Sequence, residues 1–324
     1  MKKLLIALLL FTVVLLSACA VSESEVQDQS QPVSIIALKG PSGVGMAKMI
    51  DQAADDSNSN YSFRIVGSPD EIVAALTNGD ANVAAIPTNL AAKLYKKTDG
   101  EIVMIAINTF GSLYILENGN SINSLSDLKG KTIYATGQGA NPQYILEFML
   151  KESGLKIGKD VNIVYKSEHA ELAALMASGE VDIAMLPEPF VSTVLSKNQD
   201  IRVALDFNEE WQQLTGSSLT MGCVVANKSY VEENQQTIAE LLSDLSTSID
   251  YANSNIGETA ELCAKHGIID SAVIAKQAIP NCGLTFISGE AMEPAVEGYY
   301  SMLLAADPAS IGGALPEKEF YYTE

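Results

Sequence analysis

Short apolar runs alternate with amphipathic stretches along most of the chain, and Gly, Pro, Ser or Thr marks the boundaries. Val33 to Leu38 (VSIIAL) reads as a buried strand ending in the turn Lys39-Gly40-Pro41-Ser42-Gly43. A helix capped by Ser42 follows, with Met46, Met49, Ile50 and Ala53 on one face. Ser62 to Val66 reads as a second strand, and Ser68-Pro69-Asp70-Glu71 as a capping box that opens a helix running to Asn78, where Gly79 stops it. Asn82 to Ile86 is the third predicted strand, closed by Pro87; Thr88 caps the next helix through Tyr95, and Ile102 to Ile107 is the fourth strand. Strands alternating with capped helices predict βαβ units, an α/β fold and a mostly parallel sheet.

The pattern then repeats. Glu71 to Leu90 (EIVAALTNGDANVAAIPTNL) and Glu171 to Phe190 (ELAALMASGEVDIAMLPEPF) align without gaps at an offset of one hundred residues, with Gly79/Gly179 and Pro87/Pro187 identical. Each copy reads as helix, Gly stop, acidic turn, buried strand and terminal Pro, which predicts two related α/β lobes. Around the second copy lie strands at Thr132 to Ala135, Val161 to Tyr165 and Arg202 to Leu205. Ser218 to Ala226 is extended and apolar, as expected of a return to the first lobe. Beyond it the chain is mainly helical, with a helix capped by Ser229 that buries Ile238, Leu241, Leu242, Leu245 and Ile249.

The first residues read as an address. Met1-Lys2-Lys3 precedes an apolar run from Leu4 to Leu16, too short for a stop-transfer helix and typical of a secretory signal over 1–18. The run ends in Leu16-Ser17-Ala18-Cys19, which resembles the bacterial lipobox and implies acylation of Cys19; an ordinary cleavage site or an N-terminal anchor are the alternatives. Residues 19–32 are polar and acidic, as expected of a flexible tether. The 324-residue chain carries 20 basic and 40 acidic side chains, a net charge of −20, which argues against nucleic-acid binding. Two histidines and four cysteines without C-x-x-C spacing offer no metal or redox motif, so no metal and no cofactor is expected.

The runs Ala37 to Met46 (ALKGPSGVGM), Gly179 to Ala184 (GEVDIA), Leu186 to Val191 (LPEPFV) and Ala278 to Cys282 (AIPNC), together with the lipobox, resemble the solute-binding lipoproteins of ABC importers. The resemblance is to the thiamine-precursor, alkanesulfonate and nitrate group (the NMT1/THI5-like and sulfonate-binding proteins), and it covers Val33 to Ile311. It implies a periplasmic-binding-protein type II fold, two α/β lobes joined by two crossover hinge strands. Lobe 1 is then 33–116 plus 222–324 and lobe 2 is 117–221, with crossings near Tyr114 to Glu117 and near Leu219 to Cys223. It further implies a monomer without catalytic residues, anchored by lipid on the outer face of the cell membrane, that closes on a small solute and delivers it to a permease and an ATPase. A ligand-binding sensor or adhesion lipoprotein without transport is the alternative. Enzymes of this fold that make the thiamine pyrimidine use a Cys-rich iron motif that this chain lacks.

Ligand contacts are expected in the loops at strand carboxyl ends. In the first lobe these are Lys39, Ser42 and Gly43, then Thr88 and Asn89, then Thr109 and Phe110. An ordinary βα turn accounts equally for Ser42 and Gly43, helix capping for Thr88 and Asn89, and core packing for Phe110. In the second lobe they are Gly137, Gln138, Gly139 and Asn141 at a helix start, and Glu188 between two prolines. Trp211 either lines the cleft or packs in the core. The two arginines, Arg64 and Arg202, both read as strand residues away from these loops, which favours a neutral, zwitterionic or aromatic solute such as a vitamin precursor over a doubly charged anion. Cys263 and Cys282 are expected either bridged or as free buried thiols.

Overall fold

The structure, a computed structural model, describes residues 31–323. The predicted signal, Cys19 and most of the predicted tether lie outside the described residues. Among the described residues, no helix is long and apolar enough to cross a membrane.

Eleven strands form two sheets: β1 Val33–Leu38, β2 Tyr61–Val66, β3 Val83–Pro87, β4 Ile102–Phe110, β5 Leu113–Asn118, β6 Thr132–Ala135, β7 Asn162–Tyr165, β8 Ile183–Pro187, β9 Ile201–Asp206, β10 Thr220–Asn227 and β11 Leu284–Ile287. The first sheet has the order β11-β4-β10-β3-β1-β2 and the second β7-β6-β8-β5-β9. Apart from β11 at its edge, the first sheet reads β2-β1-β3-β10-β4, which is the order of the second with each strand replaced by its counterpart. The duplication seen at an offset of one hundred residues is therefore a duplication of topology. Gly79 and Gly179 cap corresponding helices in nearly identical left-handed conformations, φ 78° and ψ 14° against φ 77° and ψ 17°. Ser68 accepts a hydrogen bond from the Asp70 amide at 3.2 Å, so the predicted N-cap forms as read.

The sheets are less parallel than the βαβ pattern predicts. β1 pairs in parallel with β2 and β3, and β6 with β7 and β8, but β10 runs antiparallel to β3 and β4, and β5 antiparallel to β8 and β9. Each of these two strands has just crossed from the other sheet and arrives pointing the opposite way. Residues 113–116 accordingly hydrogen-bond in the second sheet rather than the first. The first crossing is the two-residue link Gly111–Ser112, ahead of the expected 114–117, and the return runs through 216–219.

Central strands are buried on both faces, which is why they read as unbroken apolar runs. Val83, Ala84, Ala85 and Ile86 are wholly buried, as are Ile105, Ala106 and Ile107. β4 continues to Phe110, so Thr109 and Phe110 lie in a strand and not in a loop. Thr109 is paired on both sides, with Gly222 of β10 and Leu284 of β11, and this two-sided pairing holds the segment extended. Trp211 is fully buried, with its ring centroid 5.0 Å from that of Phe148 and 6.1 Å from that of Tyr299. It belongs to a core that joins the two sheets behind the crossings. Cys263 and Cys282 are free, buried thiols, and burial pushes the Cys263 thiol up to about 12. The helix that buries Ile238 to Ile249 starts at Gln235; Ser229 lies inside a separate short helix, Lys228–Glu233.

Because both capping glycines are left-handed and have no side-chain neighbour that a methyl group would strike, their replacement costs conformational strain alone. Gly79→Ala and Gly179→Ala are each expected to lower stability by about 1 kcal/mol, equally in the two lobes, as read by urea midpoints at constant slope.

Candidate functional site

The carboxyl ends of β1 and β3 in one sheet and of β6 and β8 in the other border a single cavity of about 990 Å³. Such a cleft at strand ends is where open α/β sheets place ligands, and the volume is at the upper end of the range of small-molecule sites. Six helices start at this cavity: Pro69–Asn78, Thr88–Lys97, Asn141–Glu152, His169–Ser178, Phe190–Lys197 and Ala272–Ala278. Their positive dipole ends lie at its wall, although several first-turn amides are already bonded within the protein, among them Asp70 to Ser68 Oγ and Ser192 to Glu188. The lining reproduces the internal repeat: Pro69 and His169, Pro87 and Pro187, and Leu90 and Phe190 all line it, each pair one hundred residues apart.

Six of the residues singled out in the sequence line the cavity: Lys39, Asn89, Gly137, Gly139, Asn141 and Glu188. Seven do not. Ser42 lies within the turn Pro41–Val44, because Gly40 is the residue that caps it, with φ 90°. The Gly43 and Val44 amides already bond the Gly40 carbonyl, both at 3.0 Å. Thr88 is the first residue of its helix and wholly buried, and its carbonyl accepts the Tyr300 hydroxyl at 2.8 Å. Gln138 is exposed outside the lining, Thr109 and Phe110 belong to β4, and Trp211 is core. The amide cradle expected over residues 137–141 is partly spent within the protein: Gly139 N–H donates to Gln143 Oε1 at 2.7 Å and Ala140 N–H to the Gly137 carbonyl at 3.0 Å.

The site also contains groups that were not foreseen. His169 lines the cavity: its Nδ1 is 2.5 Å from Thr136 Oγ1 and its ring centroid 5.1 Å from that of Phe190. Burial holds its pKa below the usual imidazole value. Tyr144 donates its hydroxyl to Asp307 at 2.8 Å, and burial together with that carboxylate raises it to about 12. The repeat carried a signal for His169, since its counterpart Pro69 opens the matching helix. No comparable signal pointed to Asp307 or Ser310, which arrive from the far C-terminal segment.

Glu188 is the most tightly enclosed acid of the site, 2% exposed. Ser192 donates to it twice, from its amide at 3.1 Å and its hydroxyl at 3.0 Å, and Asn281 Nδ2 approaches at 3.4 Å. Desolvation outweighs these bonds and raises the carboxyl to about 7. Asn281 follows β10 in the chain and packs with the first sheet, so this contact, like Tyr144 to Asp307, ties one lobe to the other. The charges around the cavity are uneven. Lys39 and Lys93 face Asp70, Glu168, Glu188, Asp270 and Asp307, and no arginine is among the described lining residues. Lys39 is 3.4 Å from Asp270 at the rim, while Arg202 is engaged elsewhere, 2.7 Å from Glu117.

Residues 45–268, more than half of the chain, match the family model described as "ABC transporter, phosphonate, periplasmic substrate-binding protein". A binding protein of Brucella abortus (strain 2308) is 22% identical over 192 residues, 59% of this chain and 58% of its own length, so the match spans little more than half of that relative. A solved structure of an ABC transporter protein from Parabacteroides distasonis superposes with a TM-score of 0.77 at 24% identity, covering 90% of this chain and 99% of the other. The periplasmic aliphatic sulphonate-binding protein SsuA of Escherichia coli superposes at 0.69 with 19% identity, covering 90% and 93%. At these identities the superpositions establish a common two-lobed fold.

A carboxyl raised to about 7 in the folded state binds its proton more tightly there than in the unfolded chain. It therefore subtracts stability as pH rises from about 4.5 to about 7, by roughly 3 kcal/mol in all. His169, held neutral, acts in the opposite direction below its ordinary pKa, so the contribution of Glu188 is read as a difference between two proteins. The melting temperature of Glu188→Gln minus that of the unaltered protein is expected to increase between pH 5 and pH 8. A flat difference means that Glu188 is ionised throughout this range.

Proposed function

The chain belongs to the phosphonate family of periplasmic substrate-binding proteins of ABC transporters, and from that premise we propose that it captures a small organic solute between its lobes and presents it to a membrane permease driven by an ATPase. The observation that carries this reading is the cavity at the facing strand ends, bordered by both sheets and crossed by the Tyr144–Asp307 and Asn281–Glu188 contacts. A solute that touches both walls does so only when the lobes are together. Its binding then shifts the population towards the closed form, which the permease reads. The crossings Gly111–Ser112 and 216–219 serve as the hinge. Acylated Cys19 and the tether 19–32 hold a monomeric body at the outer face of the membrane.

The walls also narrow the solute. Six helix starts favour one anionic or strongly polar end. Five carboxyl groups against two lysines, with no arginine clamp among the described lining residues, disfavour a second negative charge. Phe190, Tyr144 and neutral His169 suit a planar or donor-bearing remainder. The solute in this reading is zwitterionic or aromatic with at most one anionic group, a class that includes amino-substituted phosphonates and sulfonates as well as vitamin precursors.

Calorimetric titration and melting curves with phosphonates, sulfonates, amino acids and thiamine precursors test this reading. At least one zwitterionic or aromatic compound is expected to bind at one per chain and, at about a hundred times its dissociation constant, to add roughly 2.7 kcal/mol of stability. Stabilisation by simple dianions alone contradicts the proposed solute class, and stabilisation by none of the compounds contradicts solute capture.

A further inference from the structure

Two buried polar atoms in the cavity wall have no hydrogen-bond partner in the protein, one from each lobe: Asn141 Oδ1 and Ser310 Oγ. The residues are 5% and 6% exposed, so bulk water does not satisfy these atoms freely. Unpaired buried polar atoms are destabilising, and among those of the described residues these two are the ones whose residues line the cavity, where a bound molecule can complete them. The two stand on elements that are fixed to each other. Tyr144, three residues after Asn141 on the helix Asn141–Glu152, donates to Asp307, which caps the turn Pro308–Ile311 that carries Ser310. Asp307 is anchored in turn by the Ala309 amide at 3.0 Å, and Asn89 Nδ2 reaches the Ser310 carbonyl at 3.5 Å, so the backbone of the turn is engaged while the serine hydroxyl is not.

The chemistry of these atoms selects an occupant. An amide oxygen only accepts hydrogen bonds, so Asn141 Oδ1 requires an O–H or N–H donor, and a serine hydroxyl both donates and accepts. The Asp307 carboxylate beside them favours a donor and repels an oxyanion. We propose that Asn141 and Ser310 form a donor-reading pair that takes a hydroxyl or amine group of the solute from opposite lobes, so that this group both determines specificity and holds the lobes together. The proposal deepens the solute-capture reading and rests on it.

The test uses the full chain, two matched probe pairs and variants at both positions. The pairs are 2-aminoethylphosphonate with ethylphosphonate, and 2-hydroxyethanesulfonate with ethanesulfonate, whose members differ in one donor group. The donor-bearing member of a pair is expected to bind at least about tenfold tighter, a typical effect of a buried polar group whose partner is absent. Asn141→Leu and Ser310→Ala should each erase that preference, read as the ratio of the two affinities within a pair. Asn141→Asp, which keeps an acceptor, should retain it. Without any probe, Asn141→Leu and Ser310→Ala should melt at or above the temperature of the unaltered protein, because they remove an unpaired polar atom. A preference that survives Asn141→Leu, or melting points of the probe-free variants that fall by more than about 3 °C, overturns the proposal. If no probe binds the unaltered protein, capture of these head groups fails as a reading. The probe-free melting points still decide whether Asn141 and Ser310 serve the fold or are held for an occupant.

Discussion

Two short connections, hydrogen-bonded to each other, set the geometry on which everything else depends. Gly111 N–H donates to the Leu219 carbonyl at 2.8 Å, and Leu219 N–H donates to Asn208 Oδ1 at 3.1 Å, so the outgoing and returning crossings lie side by side. A side chain at Gly111 would place its Cβ 2.4 Å from that of Asn208, in a backbone conformation with φ 38°. Only glycine permits this close approach. With the crossings fixed there, each sheet receives one strand from the other, and the carboxyl ends of both sheets face a common space. A pair of narrow links also bends more readily than a packed core, and such links are where hinge motion concentrates.

The rest of the structure distributes polar groups around that space in two ways. One buried carboxylate is satisfied outside the cavity lining: Glu117 takes Arg202, the Ser121 hydroxyl and amide, and the Ile122 amide. Around the cavity some buried groups are held short of full satisfaction. Burial disfavours the charged forms of Glu188 and His169, and Asn141 Oδ1 and Ser310 Oγ lack hydrogen-bond partners in the protein. Groups in that condition are destabilising to a protein that binds nothing and are useful in one that binds something. In the proposed reading, an acidic body with few cavity cations selects its solute by hydrogen-bond pattern and shape more than by charge attraction.

Much of this was legible in the sequence because the fold is written twice. Matching Gly stops at 79 and 179 and matching prolines at 87 and 187 revealed the two lobes, and the cap at Ser68 formed as read. Lys39, Asn89, Asn141 and Glu188 were found because strand-end loops can be located from local pattern alone. What escaped was non-local. Thr109 and Phe110 look like a loop until β10 and β11 pair with them, and Trp211 is drawn into the core by Tyr299, far along the chain. Asp307 and Ser310 reach the cavity only because the C-terminal segment folds back over the first lobe. Ser42 failed as a cap for a local reason: Gly40 turns the chain two residues earlier, and Pro41 begins the helical turn.

Small-angle scattering from one preparation, first stripped of bound solute by unfolding and refolding and then saturated with a solute that calorimetry shows to bind, tests the central claim that the lobes move together on capture. The account predicts a smaller radius of gyration and a shorter maximum dimension in the saturated sample. Superimposable curves from the stripped and saturated protein would contradict it.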